Sequence, residues 1–173
     1  MKPALNRFFF CICFLAVSCS ANAGTNQTPY LYVLGVIQDA GYPQAGCLAP
    51  HCLPGWQDVR KRRGAVSLGL IDPEAKKKFM FEATPNFPGQ YYDLQVEAPD
   101  AQFDFGGVFL THAHIGHYTG LMFLGHEVMG TSNVPVYAMP RMTGFLQKNG
   151  PWSQLITFKN IALQPLQDNL AVN

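Results

Sequence analysis

Three of the five histidines in this 173-residue chain fall within six consecutive positions, at His112, His114 and His117. Imidazole nitrogens bind divalent transition metals, above all zinc, when a second hydrogen bond orients each ring. Three imidazoles this close together are rare for ordinary surface or core histidines, so the pattern predicts a metal site. A site with three protein ligands keeps a further coordination position open for water.

The three histidines lie between a predicted strand and a predicted helix. Residues 107–111 are almost all apolar, which is typical of a buried strand inside a sheet. Beyond the histidines, apolar residues recur with helical spacing over 121–129. Side chains two apart in a strand share a face, so His112 and His114 are expected on one side. The bend of the following turn then brings His117 round to them.

The run His112-x-His114-x-Gly116-His117 resembles the His-x-His-x-Asp-His signature of the metallo-β-lactamase-fold hydrolases. In that family the first two histidines bind one zinc ion, and the Asp and the last histidine bind a second. Because glycine has no donor atom, Gly116 removes the only carboxylate that this motif offers. The resemblance therefore implies one metal held by His112 and His114. A second metal, supported by His117, needs a ligand from elsewhere, for which Asp39 is a candidate.

An upstream loop resembles one branch of this fold, the coenzyme pyrroloquinoline quinone (PQQ) biosynthesis protein B branch. A predicted strand at 30–37 contains Leu-Gly and leads to Gly41-Tyr42-Pro43-Gln44 and then to clustered cysteines. The resemblance implies that Cys47, His51 and Cys52 hold a structural zinc ion, separate from the histidine site. Their spacing alone leaves three alternatives open: a zinc site completed from elsewhere, a disulfide, or two free thiols.

The first 23 residues have the composition of a secretory signal peptide. Lys2 and Arg7 accompany an apolar segment, and Ala21-Asn22-Ala23 is similar to an A-x-A cleavage site. The apolar segment is shorter than the roughly 20 residues that a transmembrane helix needs. We therefore expect cleavage after Ala23 and a periplasmic or secreted protein, with a lipid anchor at Cys19 as the alternative.

The remaining segments fit an α/β protein, namely a metallo-β-lactamase-type αββα sandwich of which residues 24–173 form mainly the first half. We expect one domain, incomplete at its C-terminus, because the family's remaining metal ligands come from the second half. Glu82, at the end of a predicted strand, is interpreted as a structural carboxylate. The other predicted elements are an antiparallel hairpin of strands 65–72 and 78–84, helices at 87–96 and 140–147, an edge or strand-start segment at 134–138, and a last strand pair within 158–166.

The charge balance argues against nucleic acid as the main partner. Twelve Lys and Arg residues against eleven Asp and Glu give a net charge of +1, and the basic run at 60–63 is interpreted as a solvated turn. The expected function is that of an exported metal-dependent hydrolase-like protein with a small-molecule substrate and one or two zinc ions. The alternatives are an oxidative protein similar to PQQ biosynthesis protein B, with iron in place of zinc, and a non-catalytic metal-binding protein.

Overall fold

The computed structural model describes residues 28–38 and 40–172, which form a six-stranded mixed sheet flanked by short helices. The strands are β1 Tyr30–Gly35, β2 Ser67–Asp72, β3 Lys77–Phe81, β4 Asp104–Phe109, β5 Val134–Ala138 and β6 Ile161–Pro165. The α-helices are α1 Leu53–Gln57, α2 Phe87–Glu97, α3 Pro140–Lys148 and α4 Trp152–Thr157. Three 3-10 segments lie at Val59–Lys61, Ile115–His117 and Thr119–Leu124.

The sheet follows the order of the chain and changes from antiparallel to parallel at β3. β1 pairs with β2 and β2 with β3 in antiparallel fashion, whereas β3, β4, β5 and β6 pair in parallel. The predicted hairpin is confirmed: the Asp72 carboxylate accepts the backbone N–H groups of Glu74 and Ala75 and so closes the turn between β2 and β3. Because β3 to β6 are parallel, their carboxyl ends lie along one edge of the sheet, where α/β sheets commonly bind ligands.

The core lies between one face of the sheet and helices α2, α3 and α4. Strand residues alternate between the two faces, so β2 buries Ser67, Gly69 and Ile71 while its intervening residues are only half-buried. The fully buried apolar side chains on the strands are Ile71, Met80, Val108, Val136, Ala138 and Ile161, and those on α2 and α3 are Phe87, Leu94 and Leu146. This core holds β3 and β4 side by side and thereby positions the connections that follow them.

The opposite face of the sheet carries a row of aromatic rings. Phe109 stacks on Phe81 with ring centroids 5.1 Å apart and on Tyr137 with centroids 4.3 Å apart. On β1, Leu31 and Val33 of the same face are 60% and 59% exposed. The described residues therefore supply one sheet and one helical layer, in agreement with the first half of an αββα sandwich.

Lys78 is a charged side chain inside the core, with no exposed surface. Its ammonium group donates to the carbonyl oxygen of Ala98 at 2.5 Å and to Gln95 Oε1 at 2.7 Å, and lies 2.6 Å from Asp100 Oδ1. These three oxygens replace the water that the ammonium group loses on burial. The contacts join β3 to the end of α2.

Three predicted elements differ from the structure. The helix expected over 121–129 is instead the 3-10 segment Thr119–Leu124 followed by a turn, and within this segment Gly120 packs against the connection after β3. Pro135 lies at the second position of β5, which is an internal strand, so the edge interpretation was wrong and the strand-start interpretation is confirmed. The expected last strand pair is the single strand β6, preceded by α4.

Some predictions concern residues outside the described part of the chain. The signal peptide at 1–23, the possible lipid anchor at Cys19 and the candidate ligand Asp39 all lie there. Within 28–38 and 40–172, no helix combines the length and the apolar composition needed to cross a bilayer.

Candidate metal centre

Two connections meet at the carboxyl edge of the sheet, one after β3 and one after β4. The backbone N–H of Glu82 donates to Phe109 O at 2.8 Å, and that of Ala83 donates to His117 O at 2.9 Å. Gly120 N–H donates to Ala83 O at 2.8 Å, and a Cβ on Gly120 would lie 2.3 Å from a backbone oxygen of the same connection. Only glycine permits this close approach. The histidine turn is therefore held against the end of β3.

Three side chains bring donor atoms together where these connections meet. Glu82, His112 and His117 each offer one ligand atom, and the three atoms lie within 4.8 Å of one another. The His112 and His117 ring centroids are 4.1 Å apart; His117 and Glu82 are buried, whereas His112 is exposed. His114 is exposed and lies outside this group, although its ring centroid is 4.6 Å from that of His112. The structure thus joins two predicted histidines with a carboxylate.

Thr111 connects the carboxylate to the first histidine. Its hydroxyl donates to Glu82 Oε1, and Thr111 Oγ1 lies 2.8 Å from His112 Nδ1. A hydroxyl carries one proton, so while Thr111 donates to the carboxylate it can only accept from His112 Nδ1–H. This network assigns the tautomer in which His112 Nε2 carries the lone pair that a metal needs.

Glu82 occupies an unfavourable environment for a carboxylate. Burial raises the pKa of its carboxyl group, whereas the hydrogen bonds with Thr111 and the charge of His112 act in the opposite direction. Within the described residues, Glu82 Oε2 is buried and accepts no hydrogen bond. The backbone of Glu82 has φ 72°, a left-handed conformation that costs a non-glycine residue about 1–3 kcal/mol. A bound cation would neutralise this carboxylate, so the residues present fit a divalent metal.

Sequence reasoning missed the position of Glu82 in this cluster. The interpretation as a structural carboxylate did not include Glu82 among the candidate metal ligands. The signal that was available is that Glu82 directly follows a strand, because residues at the carboxyl ends of parallel strands share one edge. Its left-handed backbone leaves no trace in the sequence.

The second predicted cluster contains a disulfide. Cys47 and Cys52 are joined with their Cα atoms 6.0 Å apart, which is one of the three alternatives that their spacing allowed. His51 Nε2 lies 3.8 Å from Cys47 Sγ, and one donor atom from each of the three residues lies within 4.8 Å of the others. Metal binding at Cys47, His51 and Cys52 would require reduction first, because thiolates and not disulfide sulfurs are ligands.

The basic run lies on the surface, as expected for a solvated turn. Arg60 to Arg63 are all exposed, and Arg60 forms an ion pair with Asp58 at 2.9 Å. The Arg62 guanidinium lies 5.6 Å from the centroid of the Trp56 ring. Two of these cations therefore already have partners within the chain.

The strand order, the helical layer and the cluster at the carboxyl edge define a protein with the metallo-β-lactamase fold. Two solved structures show this likeness. The chain matches Zn(2+)-bound PqqB from Methylobacterium extorquens with a TM-score of 0.63 and 20% sequence identity. The match covers 81% of this chain and 50% of PqqB. The chain also matches a diphosphatase from the PhnP family with a TM-score of 0.56 and 21% sequence identity. This match covers 80% of this chain and 50% of the diphosphatase.

These likenesses confirm the fold that the sequence resemblance implied, and PqqB is one of the two proteins that share it. The chain spans about half the length of each of the two proteins. No protein-family model matches the sequence, and no curated protein matches it at a significant level.

Proposed function

We propose that this protein is an exported metal-dependent hydrolase of the metallo-β-lactamase fold that holds its metal at the histidine turn. The observation that carries the proposal is the convergence of two imidazoles and one carboxylate at the carboxyl edge of parallel strands. The likeness to a zinc-bound PqqB and to a diphosphatase, both of this fold, supports a metal and a hydrolytic reaction.

The residues around the site have separable roles in this proposal. A bound zinc ion supplies a Lewis acid and a water ligand whose pKa falls to about 7. Thr111 and Glu82 keep His112 in the tautomer that presents Nε2. His114, exposed beside His112, is placed to exchange a proton with solvent or to contact the substrate. Ile115, 65% exposed, provides an apolar contact at the rim.

A small-molecule substrate suits this chain better than a nucleic acid. A net charge of +1 offers little general attraction for a polyanion, and two cations of the basic run are already engaged. Chromogenic carboxylic ester, β-lactam and phosphodiester substrates therefore form the first panel to test. Single-stranded RNA serves as the comparison, and cleavage of RNA alone would contradict the small-molecule assignment.

The function can be tested directly on the mature protein, from residue 24 onward. Its metal content is measured by mass spectrometry, and hydrolysis of the panel is measured beside H112A and H126A. His126 is an exposed histidine outside the cluster, with its ring tilted against that of Phe158 at a centroid distance of 5.4 Å, and is the matched control. We expect bound metal and hydrolysis in the wild type and H126A, and loss of both in H112A. A wild type that binds metal but hydrolyses no substrate of the panel would favour a non-catalytic metal-binding protein. A wild type that binds no metal would refute the proposal.

Export is part of this proposal. The signal-like residues 1–23 and the Cys47–Cys52 disulfide support it, since disulfides persist outside the reducing cytoplasm. Fractionation of cells expressing the chain, followed by N-terminal sequencing, should give a periplasmic or secreted protein that begins at Gly24. Replacement of Cys19 by serine separates a lipid anchor from simple cleavage, because only the anchored form would lose membrane attachment. Cytoplasmic protein that begins at Met1 would contradict export.

An oxidative reaction is the second candidate. Two imidazoles and one carboxylate also suit iron(II), and the chain is similar in fold to PqqB. Oxygen uptake by the iron-loaded protein, absent from the zinc-loaded protein, would favour this candidate over hydrolysis.

A further inference from the structure

We infer that Glu82 is itself a metal ligand, so that the centre is a single-metal site built from His112, His117 and Glu82. The inference rests on the proposed function, because it assumes that the histidine turn binds metal. It assigns to Glu82 the carboxylate that Gly116 cannot supply within the motif. His114 lies outside the coordination sphere in this arrangement.

The spacing between Glu82 and His117 is the first argument. Glu82 Oε2 lies 3.5 Å from His117 Nδ1, which exceeds the roughly 2.7–3.2 Å of an N–H···O hydrogen bond. Two ligand atoms that each lie about 2.1 Å from a tetrahedral metal are about 3.4 Å apart. The observed distance therefore suits two atoms that share a cation better than two atoms that share a proton.

The charge of Glu82 is the second argument. Among the described residues, its one ion-pair contact is with His117, and no lysine or arginine lies within ion-pair distance. A buried carboxylate without a cation carries a large desolvation penalty, which a divalent ion offsets. Thr111 satisfies Oε1 and leaves Oε2 as the atom directed at the cluster.

The position of His114 is the third argument. Glu82 and His117 are buried at the base of the cluster, whereas His114 is exposed and its donor atoms lie outside the 4.8 Å group. His112 is oriented through Nδ1 by Thr111 and presents Nε2. Two imidazoles and one carboxylate at neighbouring positions leave the remaining positions of a metal open to water and substrate.

The alternative is that Glu82 only positions its neighbours, orienting His112 through Thr111 and His117 directly. The two roles differ in magnitude. Loss of a group that orients a ligand typically weakens metal binding by about 10–100-fold. Loss of a charged ligand in a three-ligand site weakens binding by more than that. Metal affinity therefore separates the two roles.

The experiment measures zinc affinity by competition with a chromogenic chelator, on the mature protein stripped of metal. The variants are E82Q, which keeps the shape of the side chain, H114A, and E97Q as a control. Glu97 is a carboxylate elsewhere that accepts a hydrogen bond from Tyr30. We expect one zinc per chain in the wild type, a loss of more than 100-fold in E82Q, and changes below tenfold in H114A and E97Q.

Each result has one meaning. A wild type that binds no zinc refutes the proposed function, and the inference with it. A wild type that binds zinc while E82Q loses 100-fold or less overturns the ligand role alone, as does a larger loss in H114A than in E82Q. If circular dichroism shows that E82Q is unfolded, a crystal structure of the zinc-loaded wild type decides. A Glu82 carboxylate oxygen within about 2.2 Å of the zinc ion supports the inference, and zinc bound by imidazoles and water alone overturns it.

Discussion

Replacement of Thr111 by valine tests whether the hydroxyl links the carboxylate to the first histidine. Valine has nearly the same shape but neither donates to Glu82 Oε1 nor accepts from His112 Nδ1. Both contacts are therefore lost without the creation of a cavity. Loss of the contact with Glu82 should lower the free energy of unfolding, and loss of the contact with His112 should lower the zinc affinity. The two effects can be measured independently.

The expected magnitudes come from these two lost contacts. A buried acceptor left without its donor costs about 1–3 kcal/mol in the free energy of unfolding. Because burial already raises the Glu82 pKa and the Thr111 hydrogen bonds lower it, T111V raises it further. A carboxyl group whose pKa is raised on folding costs no stability at a pH below both its unfolded and its folded pKa, and the cost grows as the pH rises from the first to the second. The cost in the metal-free protein should therefore be larger at pH 8 than at pH 5. Zinc affinity should fall about 10–100-fold.

Urea unfolding of the metal-free protein at both pH values measures the stability change, and chelator competition measures zinc affinity. T111S is the matched control, because it restores the hydroxyl and should recover most of both losses. A T111V protein with wild-type stability and wild-type zinc affinity would refute the link through Thr111. So would a T111S protein as impaired as T111V.

Three further predictions concern the elements that hold the site. G120A should lower stability by about 1–3 kcal/mol in thermal unfolding, because its Cβ has no room beside the connection after β3; an unchanged melting temperature would contradict this packing. K78M should cost about 1–3 kcal/mol in urea unfolding, since it leaves the buried carbonyl oxygen of Ala98 without its donor and removes the ion pair with Asp100; a neutral effect would show that the Ala98 oxygen finds another donor. The double variant C47S/C52S should lower the free energy of unfolding by up to about 2 kcal/mol, because the disulfide closes a short loop with a separation of 5 residues. Reduction of the wild type should have the same effect. A wild type whose unfolding does not change with reductant would show that the disulfide does not stabilise the fold.

Much of the fold could be predicted from local patterns. Alternating apolar residues and a polar, proline-started connection predicted the β2–β3 hairpin, and the helices at 87–96 and 140–147 lie within a residue or two of α2 and α3. These elements are set mainly by side chains close in the chain, through strand alternation, helical spacing and turn chemistry. The helix expected after the histidines shows the limit of such reasoning. Its apolar spacing is real, but the segment forms a 3-10 helix and a turn, and its Gly120 contacts the connection after β3, more than thirty residues away in the chain.

The histidine turn belongs to what the sequence by itself determined. Residue type and spacing were sufficient to predict imidazoles that converge after a buried strand, and the resemblance to the His-x-His-x-Asp-His signature added that Gly116 stands where that motif has a carboxylate. Only the tertiary structure decided which groups gather there. It places Glu82 beside His112 and His117 because β3 and β4 are parallel neighbours, and it leaves His114, whose ring lies 4.6 Å from that of His112, outside this group of donor atoms. A ligand set drawn from two strand ends depends on how the strands pair, which residue spacing alone does not encode.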